Sequence, residues 1–185
     1  MRGHLLIAIS LLACAGLAGA ATQPPANTPP DDASIIKNVR HEILTYPNYS
    51  IWDDVSFRVM NGNVELLGAV NQPFKKDDLG RLVKGVAGVE SVSNQLKVLP
   101  LSFQDDSLRL QVARAIYTAP SLSRYAIQAV PPIHIIVDNG QVTLTGVVNN
   151  TAEKEIAGMR AATAGLSFGN VINNLQVENP PARKG

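Results

Sequence analysis

The sequence contains an internal duplication, and this feature constrains the fold more than any other. The segment VMNGNVELLGAV at residues 59–70 aligns with VDNGQVTLTGVV at residues 137–148. Further along, VSNQLKV at residues 92–98 aligns with VINNLQV at residues 171–177. The second copy follows the first by about 78 residues and has about five extra residues ahead of its first strand. The chain is therefore built from two copies of one small unit.

The first copy, residues 31–100, and the second copy, residues 101–179, have the same predicted order of elements. Helical apolar stripes open each copy, and alternating apolar residues predict the strands. The Asn-Gly pairs ending at Gly62 and Gly140 predict type I′ hairpin turns, because both central residues of that turn need a positive φ. We therefore predict an α+β fold of two tandem αββαβ units, each a three-stranded mixed sheet with two helices on one face. Units of this size, about 70 residues, are near the lower limit for an independent core, so contacts between the copies would help both.

The two ends of the chain have compositions that differ from the repeated part. Residues 1–20 contain one arginine, a continuous apolar run and a final Ala-Gly-Ala, which is the pattern of a cleaved signal peptide. The alternative is a bacterial lipobox ending at Cys14, whose acylation would tether the protein to a membrane. A proline-rich linker is predicted at residues 21–30 and a polar tail at residues 180–185. We therefore expect export, with a membrane-tethered lipoprotein as the alternative.

Composition and spacing exclude several classes of function. The chain has 16 basic and 15 acidic residues, so it lacks the cationic surplus of nucleic-acid-binding proteins. Its single cysteine excludes an internal disulfide, and His41 and His134 have no further ligands at metal-binding spacing. The sequence has no serine-nucleophile motif, no phosphate-binding loop and no pair of carboxylates placed around a pocket. We therefore predict a protein that is not an enzyme and that uses no metal or cofactor.

The two repeated motif blocks resemble the BON domain, named for bacterial OsmY and nodulation proteins. NG-x-V-x-L-x-G-x-V is present in both copies. The block GV-x-x-V-x-N-x-L-x-V is complete only in the first copy, because SFGN at residues 167–170 interrupts the second. With its signal peptide and linker, the chain is similar to the OsmY-like dual-BON proteins of the periplasm and outer membrane. This resemblance implies a non-catalytic module that binds phospholipid or other envelope components and supports envelope integrity or osmotic-stress protection.

Four further motif residues have predicted structural roles. Gly68 and Gly146 occupy strand positions that face the helices, so we expect the missing side chain to let a helix approach the sheet closely. The alternative at these two positions is contact between a ligand and the backbone. Asn94 and Asn173 fall on the inward side of the last strands, so each amide should bond the backbone of a loop or helix end. A ligand role is the alternative for these amides.

Aromatic side chains form the candidate binding site. Tyr46, Tyr49 and Trp52 lie between the first helix and first strand of the first copy. Tyr117 and Tyr125 lie in the corresponding region of the second copy. Amphipathic rings of this kind suit a membrane–water boundary. The cations expected to contact anionic phosphates beside them are Lys75, Lys76, Arg81 and Lys84.

The predicted partner is an anionic phospholipid surface or an envelope protein. The simpler alternative for the aromatic rings is that they cover the edge of a small core or the seam between the two copies. A second functional hypothesis is a periplasmic protein–protein adaptor without lipid affinity. The near-zero net charge and the absence of a basic amphipathic helix favour this second hypothesis.

Overall fold

The structure is a computed structural model that describes residues 31–164 and 171–178. The first copy contains α1 (Asp32–Thr45), β1 (Asp54–Met60), β2 (Asn63–Val70), α2 (Pro73–Lys84), β3 (Ser91–Asn94) and β4 (Lys97–Val98). The second copy contains α3 (Phe103–Tyr117), α4 (Ser123–Ala126), β5 (Ile133–Asp138), β6 (Gln141–Val148), α5 (Thr151–Ala164), β7 (Val171–Asn173) and β8 (Gln176–Val177). The predicted signal peptide, Cys14, the linker and the polar tail lie outside the described residues.

The predicted fold class is confirmed in both copies. In the first copy β1 is antiparallel to β2, and β3 and β4 are parallel to β2 on its other side. The second copy repeats this mixed sheet with β5, β6, β7 and β8. The αββαβ order predicts a single last strand in each copy, but in the structure this strand is divided into two short segments.

Each copy has its own apolar core between its helices and its sheet. The first core is formed mainly by Ile35, Val39, Ile43, Val64, Leu66, Val70, Leu79, Val83 and Leu96. The second core is formed mainly by Val112, Ile116, Ile133, Ile135, Val137, Val142, Leu144, Val148, Ala157, Ala161 and Leu175. These residues come from the helical stripes and alternating strand positions that the duplicated pattern predicted.

The hairpin turns have the backbone geometry that their Asn-Gly pairs predict. In the first copy Asn61 and Gly62 have φ angles of 50° and 74°. The carboxylate of Asp32, in the first turn of α1, accepts hydrogen bonds from the Asn61 and Gly62 N–H groups at 2.8 and 2.9 Å. Asp105 binds the turn at residues 139–140 in the same way, at 3.0 and 2.8 Å. Each opening helix is thus fixed to the hairpin turn of its own sheet.

The strand glycines are required for a reason different from the predicted one. Gly68 and Gly146 have φ angles of 110° and 108°, which other residues adopt only with strain. A Cβ atom on Gly68 would lie 2.0 Å from the carbonyl oxygen of Asp54. A Cβ atom on Gly146 would lie 1.9 Å from the carbonyl oxygen of Pro132. The prediction of a closely approaching helix is therefore wrong, because the neighbour is the backbone at the start of the adjacent strand.

The strand asparagines bond to helix backbone, as predicted. The Asn94 side chain donates to the carbonyl of Lys76 in α2 at 2.7 Å, and its oxygen accepts from the N–H of Leu96 at 3.2 Å. Asn173 donates to the carbonyl of Lys154 in α5, also at 2.7 Å. A Cβ atom on the facing helix glycine, Gly80, would lie 2.8 Å from the Asn94 amide nitrogen. The asparagine and this glycine therefore join helix and sheet as a pair.

Candidate functional site

The segment before β1 of the first copy forms a seam with the second copy. The carbonyl oxygen of Ile51 accepts a hydrogen bond from the N–H of Ile135 in β5 at 2.7 Å. The side chains of Ile51 and Trp52 pack against the second-copy core. The Tyr49 ring lies 5.5 Å from the His134 ring, centroid to centroid. This segment therefore belongs to the packing of both copies.

The seam continues across the sheet faces that point away from the helices. Ala69 of β2, Leu99 beyond β4 and Ile136 of β5 form a small buried apolar cluster between the copies. Lys97 forms an ion pair with Asp138 beside it. His134 is buried here, and this burial lowers the pKa of its imidazole. Its Nδ1 atom is buried without a hydrogen-bond partner among the described residues.

The structure does not bring the five predicted aromatic residues together on one open surface. Tyr46 is buried, and its hydroxyl donates to the carboxylate of Asp78 at 2.7 Å. Tyr49 and Trp52 lie in the seam, and burial raises the pKa of the Tyr49 hydroxyl. Tyr117 donates to the carbonyl oxygen of Ile133 at 2.6 Å, and burial raises the pKa of its hydroxyl too. Tyr125 is 3% exposed. The geometry agrees with the alternative in which these rings cover core edges and the seam.

Lys75, predicted as a surface cation, lies in the interior of the first copy. Its Nζ atom is 2.6 Å from the carboxylate of Asp53, and both side chains are almost fully buried. The Asp53 carboxylate also accepts hydrogen bonds from the N–H and hydroxyl of Ser50 and from the N–H of Asn71. The pair joins α2 to the loop before β1. Lys75 is therefore not available to bind a phosphate at the surface.

The equivalent position of the second copy has the opposite charge. Glu153 lies 78 positions after Lys75 and is also buried. Arg124 and Tyr125 of α4 bind its carboxylate at 2.5 and 2.6 Å. Burial opposes ionisation of Glu153, but the hydrogen bonds from Tyr125 and from the Asn149 N–H outweigh it and lower the pKa. The extra residues of the second copy thus supply the partners for this reversed charge.

The other three predicted cations lie near the surface of α2. Arg81 forms an ion pair with Asp78, and hydrogen bonds from Tyr46 and Arg81 lower the pKa of Asp78. Lys84 donates to the carbonyl oxygen of Glu90, and Lys76 is half-buried. Arg81 and Lys84 share an open cleft of about 810 Å³ with Asp77. The acidic neighbours reduce the positive charge of this surface.

An exposed apolar surface on the second copy was not predicted. Phe103 is 87% exposed, Leu101 is 67% exposed and Leu110 is 60% exposed. Phe103 and Leu110 are two helical turns apart on α3, on the side opposite its buried residues. We call these three residues the apolar ridge. Arg114 is exposed one turn further along the same side.

The duplication contains the signal that could have revealed the apolar ridge. The opening helices align at an offset of 73, which places Leu110 at the position of Lys37 and Phe103 at the position of Pro30. Leu110 lies outside the core stripe and is apolar where the first copy has a charged lysine, so the fold that both copies share does not require an apolar residue there. Such asymmetry between copies marks a surface that is specific to the second copy.

The described residues include no group of three His, Cys, Asp or Glu side chains suited to a metal ion. Residues 31–164 and 171–178 also include no helix long and apolar enough to span a bilayer.

Comparison with known proteins identifies the duplicated unit. The family profile described as "BON domain" matches residues 31–100 and residues 104–179. No curated protein sequence matches the chain. Among solved structures, CdsD, a structural protein of the Type III secretion system of Chlamydia trachomatis, is 15% identical with a TM-score of 0.28, covering 80% of this chain and 93% of that chain. The C-terminal domain of CdsD is 16% identical with a TM-score of 0.29, covering 80% of this chain and 100% of that one.

Proposed function

Because the chain belongs to the BON-domain family, we propose that it is an exported envelope protein that binds phospholipid surfaces weakly through its second copy. BON domains are associated with envelope and osmotic-stress proteins and are generally non-catalytic. The observation that supports lipid binding is the apolar ridge, formed by Phe103 and Leu110 of α3 and by Leu101 just before this helix. Soluble proteins rarely leave neighbouring large apolar side chains this exposed unless a partner or membrane covers them.

The energetics of the apolar ridge fit shallow and reversible insertion. Fully burying one Phe or Leu side chain contributes about 1.5–3 kcal/mol. Phe103 is 87% exposed and Leu110 is 60% exposed, so together they supply about 2–4.5 kcal/mol on insertion. Arg114 adds about 1 kcal/mol near an anionic leaflet, whereas Asp106 on the same side is neutralised by its ion pair with Arg109. This total supports weak, peripheral binding.

The experiment is cosedimentation of the protein with vesicles of phosphatidylglycerol and phosphatidylethanolamine. Phe103→Gln combined with Leu110→Gln should lower the partition coefficient about 100-fold, since it removes about 3 kcal/mol of apolar transfer. Met159→Gln is the matched control, because Met159 is 61% exposed on α5 but lies outside the apolar ridge. It should change the partition coefficient less than twofold.

Two results would contradict the lipid proposal. Equal losses for the ridge variant and for Met159→Gln would show that insertion does not depend on α3. An intact protein that fails to bind these vesicles would leave the adaptor hypothesis as the better one. That second candidate is favoured by an open groove on the first copy.

A further inference from the structure

A groove between α1 and β1 of the first copy is open, whereas its counterpart in the second copy is filled. We call the open one the first-copy groove; it has a volume of about 630 Å³. Its main lining residues are Ile36, Arg40, Leu44, Phe57, Arg58 and Met60. It lies on a different copy from the apolar ridge and goes beyond the proposed lipid function.

The filled counterpart shows what this kind of groove holds. It lies between α3 and β5, where Ile51 and Trp52 pack on the second-copy core. Tyr117, which aligns with Leu44, is half-buried there, whereas Leu44 itself is 46% exposed. The helix-facing residues of β5 are fully buried, whereas their counterparts in β1 are half-buried: Ile133, Ile135 and Val137 against Val55, Phe57 and Val59. The segment before β1, through Ile51 and Trp52, therefore covers the groove of the second copy, whereas the first-copy groove remains open.

The exposed edge of β1 has the same hydrogen-bonding register as the covered edge of β5. Ile135 pairs with Leu144 and donates its N–H outward to the carbonyl oxygen of Ile51. Phe57 pairs with Leu66 in the same register, so its N–H points outward from β1. The first-copy groove thus combines an apolar floor with an outward backbone donor, as in recognition modes that extend a sheet edge.

The two grooves differ in charge. Arg40 and Arg58 flank the first-copy groove, and both are exposed. The residues that align with them in the second copy are Ala113 and Ile136, which are uncharged. Arg40 forms no ion pair among the described residues, and Arg58 contacts Glu65 through its Nε atom at 3.3 Å. A segment docked in the first-copy groove therefore gains from carrying carboxylates.

We propose that the first-copy groove binds an extended segment of a partner protein in which two large apolar residues are followed by carboxylates. The apolar pair enters the groove, a backbone carbonyl accepts from the Phe57 N–H, and the carboxylates face Arg40 and Arg58. The segment Ile51–Asp54 has this composition, and its two apolar residues, Ile51 and Trp52, pack on the second-copy core beside β5. Its carboxylates belong to the first copy, so the carboxylate requirement rests on the charges of Arg40 and Arg58.

The probe is a fluorescently labelled, end-capped peptide of residues 48–55, NYSIWDDV, titrated into the whole chain and followed by anisotropy. We expect saturable binding of one peptide per chain. Arg40→Glu should weaken it about tenfold, because charge reversal replaces attraction by repulsion. Lys37→Glu is the matched control, since it makes the same charge change on the exposed side of α1 outside the groove, and it should have less than a twofold effect. A peptide with both Ile and Trp replaced by Ala should not bind.

Four outcomes would overturn the proposal. The first is no binding of the peptide, and the second is equal weakening by Arg40→Glu and Lys37→Glu, which would indicate only general charge attraction. The third is tighter binding to the Trp52→Ala protein, which would place the peptide in the second-copy groove instead. The fourth is concentration-dependent self-association of the wild-type chain that Arg40→Glu abolishes, which would identify a second copy of this chain as the occupant.

Discussion

Replacing Asp53 by asparagine should destabilise the protein by about 3–5 kcal/mol, because it leaves Lys75 as an uncompensated buried charge. Lys75 is 5% exposed and Asp53 is 0% exposed, and their charged atoms lie 2.6 Å apart. Lys75→Met should cost less, about 1–3 kcal/mol, since Asp53 keeps its hydrogen bonds from Ser50 and Asn71. The double variant should cost less than the sum of the two single variants.

Urea unfolding followed by circular dichroism measures these differences. With a urea dependence of about 2 kcal/mol per molar, a loss of 4 kcal/mol lowers the midpoint by about 2 M. Asp77→Asn is the matched control, because Asp77 is exposed in the same helix and should shift the midpoint by less than about 0.3 M. A shift for Asp53→Asn as small as that of the control, or strictly additive single variants, would refute the assignment of Lys75 to the interior.

Three other predictions concern the strand glycines, the seam and the strand asparagines. Gly146→Ala should lower the unfolding free energy by more than about 3 kcal/mol. Gly140→Ala is the control and should cost about 1–2 kcal/mol, because Gly140 has a positive φ but a Cβ atom there would have no neighbour within 4 Å. Equal costs in urea unfolding would refute the clash with the Pro132 carbonyl. Burial lowers the pKa of His134 in the folded protein. Near and below the ordinary histidine pKa of about 6.5, the unfolded chain therefore binds more protons than the folded chain. The unfolding free energy should thus fall as the pH drops from about 7.5 to about 5.5. His134→Gln should reduce that fall in unfolding free energy, and an unchanged pH dependence would contradict it. Asn94→Ala should cost about 1–3 kcal/mol in the same assay by leaving the Lys76 carbonyl without its bond, and a cost below about 0.5 kcal/mol would contradict that role.

The parts of the fold that could be predicted from the sequence depend on local periodicity. Asn-Gly turns, alternating strands and helical stripes each act over a few residues, and the duplication showed every pattern twice. The inward amide of Asn94 was also predictable, because a buried amide on an apolar strand face needs a backbone partner. These features follow from the identities of neighbouring residues alone.

The features that could not be predicted depend on contacts between distant residues. Nothing near Lys75 in the sequence shows that Asp53 neutralises it from another element. The φ angle of Gly68 results from the backbone of the neighbouring strand, not from its own strand pattern. The apolar ridge lies outside the core stripe of its helix, so the periodicity that located α3 gave no weight to Phe103. Comparison of the two copies makes Leu110 conspicuous instead, because its counterpart in the first copy is Lys37.

Quenching by brominated lipids tests the proposed lipid contact most directly, because Trp52 is the chain's one tryptophan and lies in the seam. A second protein would carry Trp52→Phe together with Phe103→Trp, which moves the fluorophore to the apolar ridge. On vesicles of phosphatidylglycerol with bromine in the acyl chains, we expect strong quenching of the tryptophan at position 103 and little quenching of Trp52 in the wild-type protein. Strong quenching of Trp52 without quenching at position 103 would contradict the account and place the lipid contact at the predicted aromatic cluster.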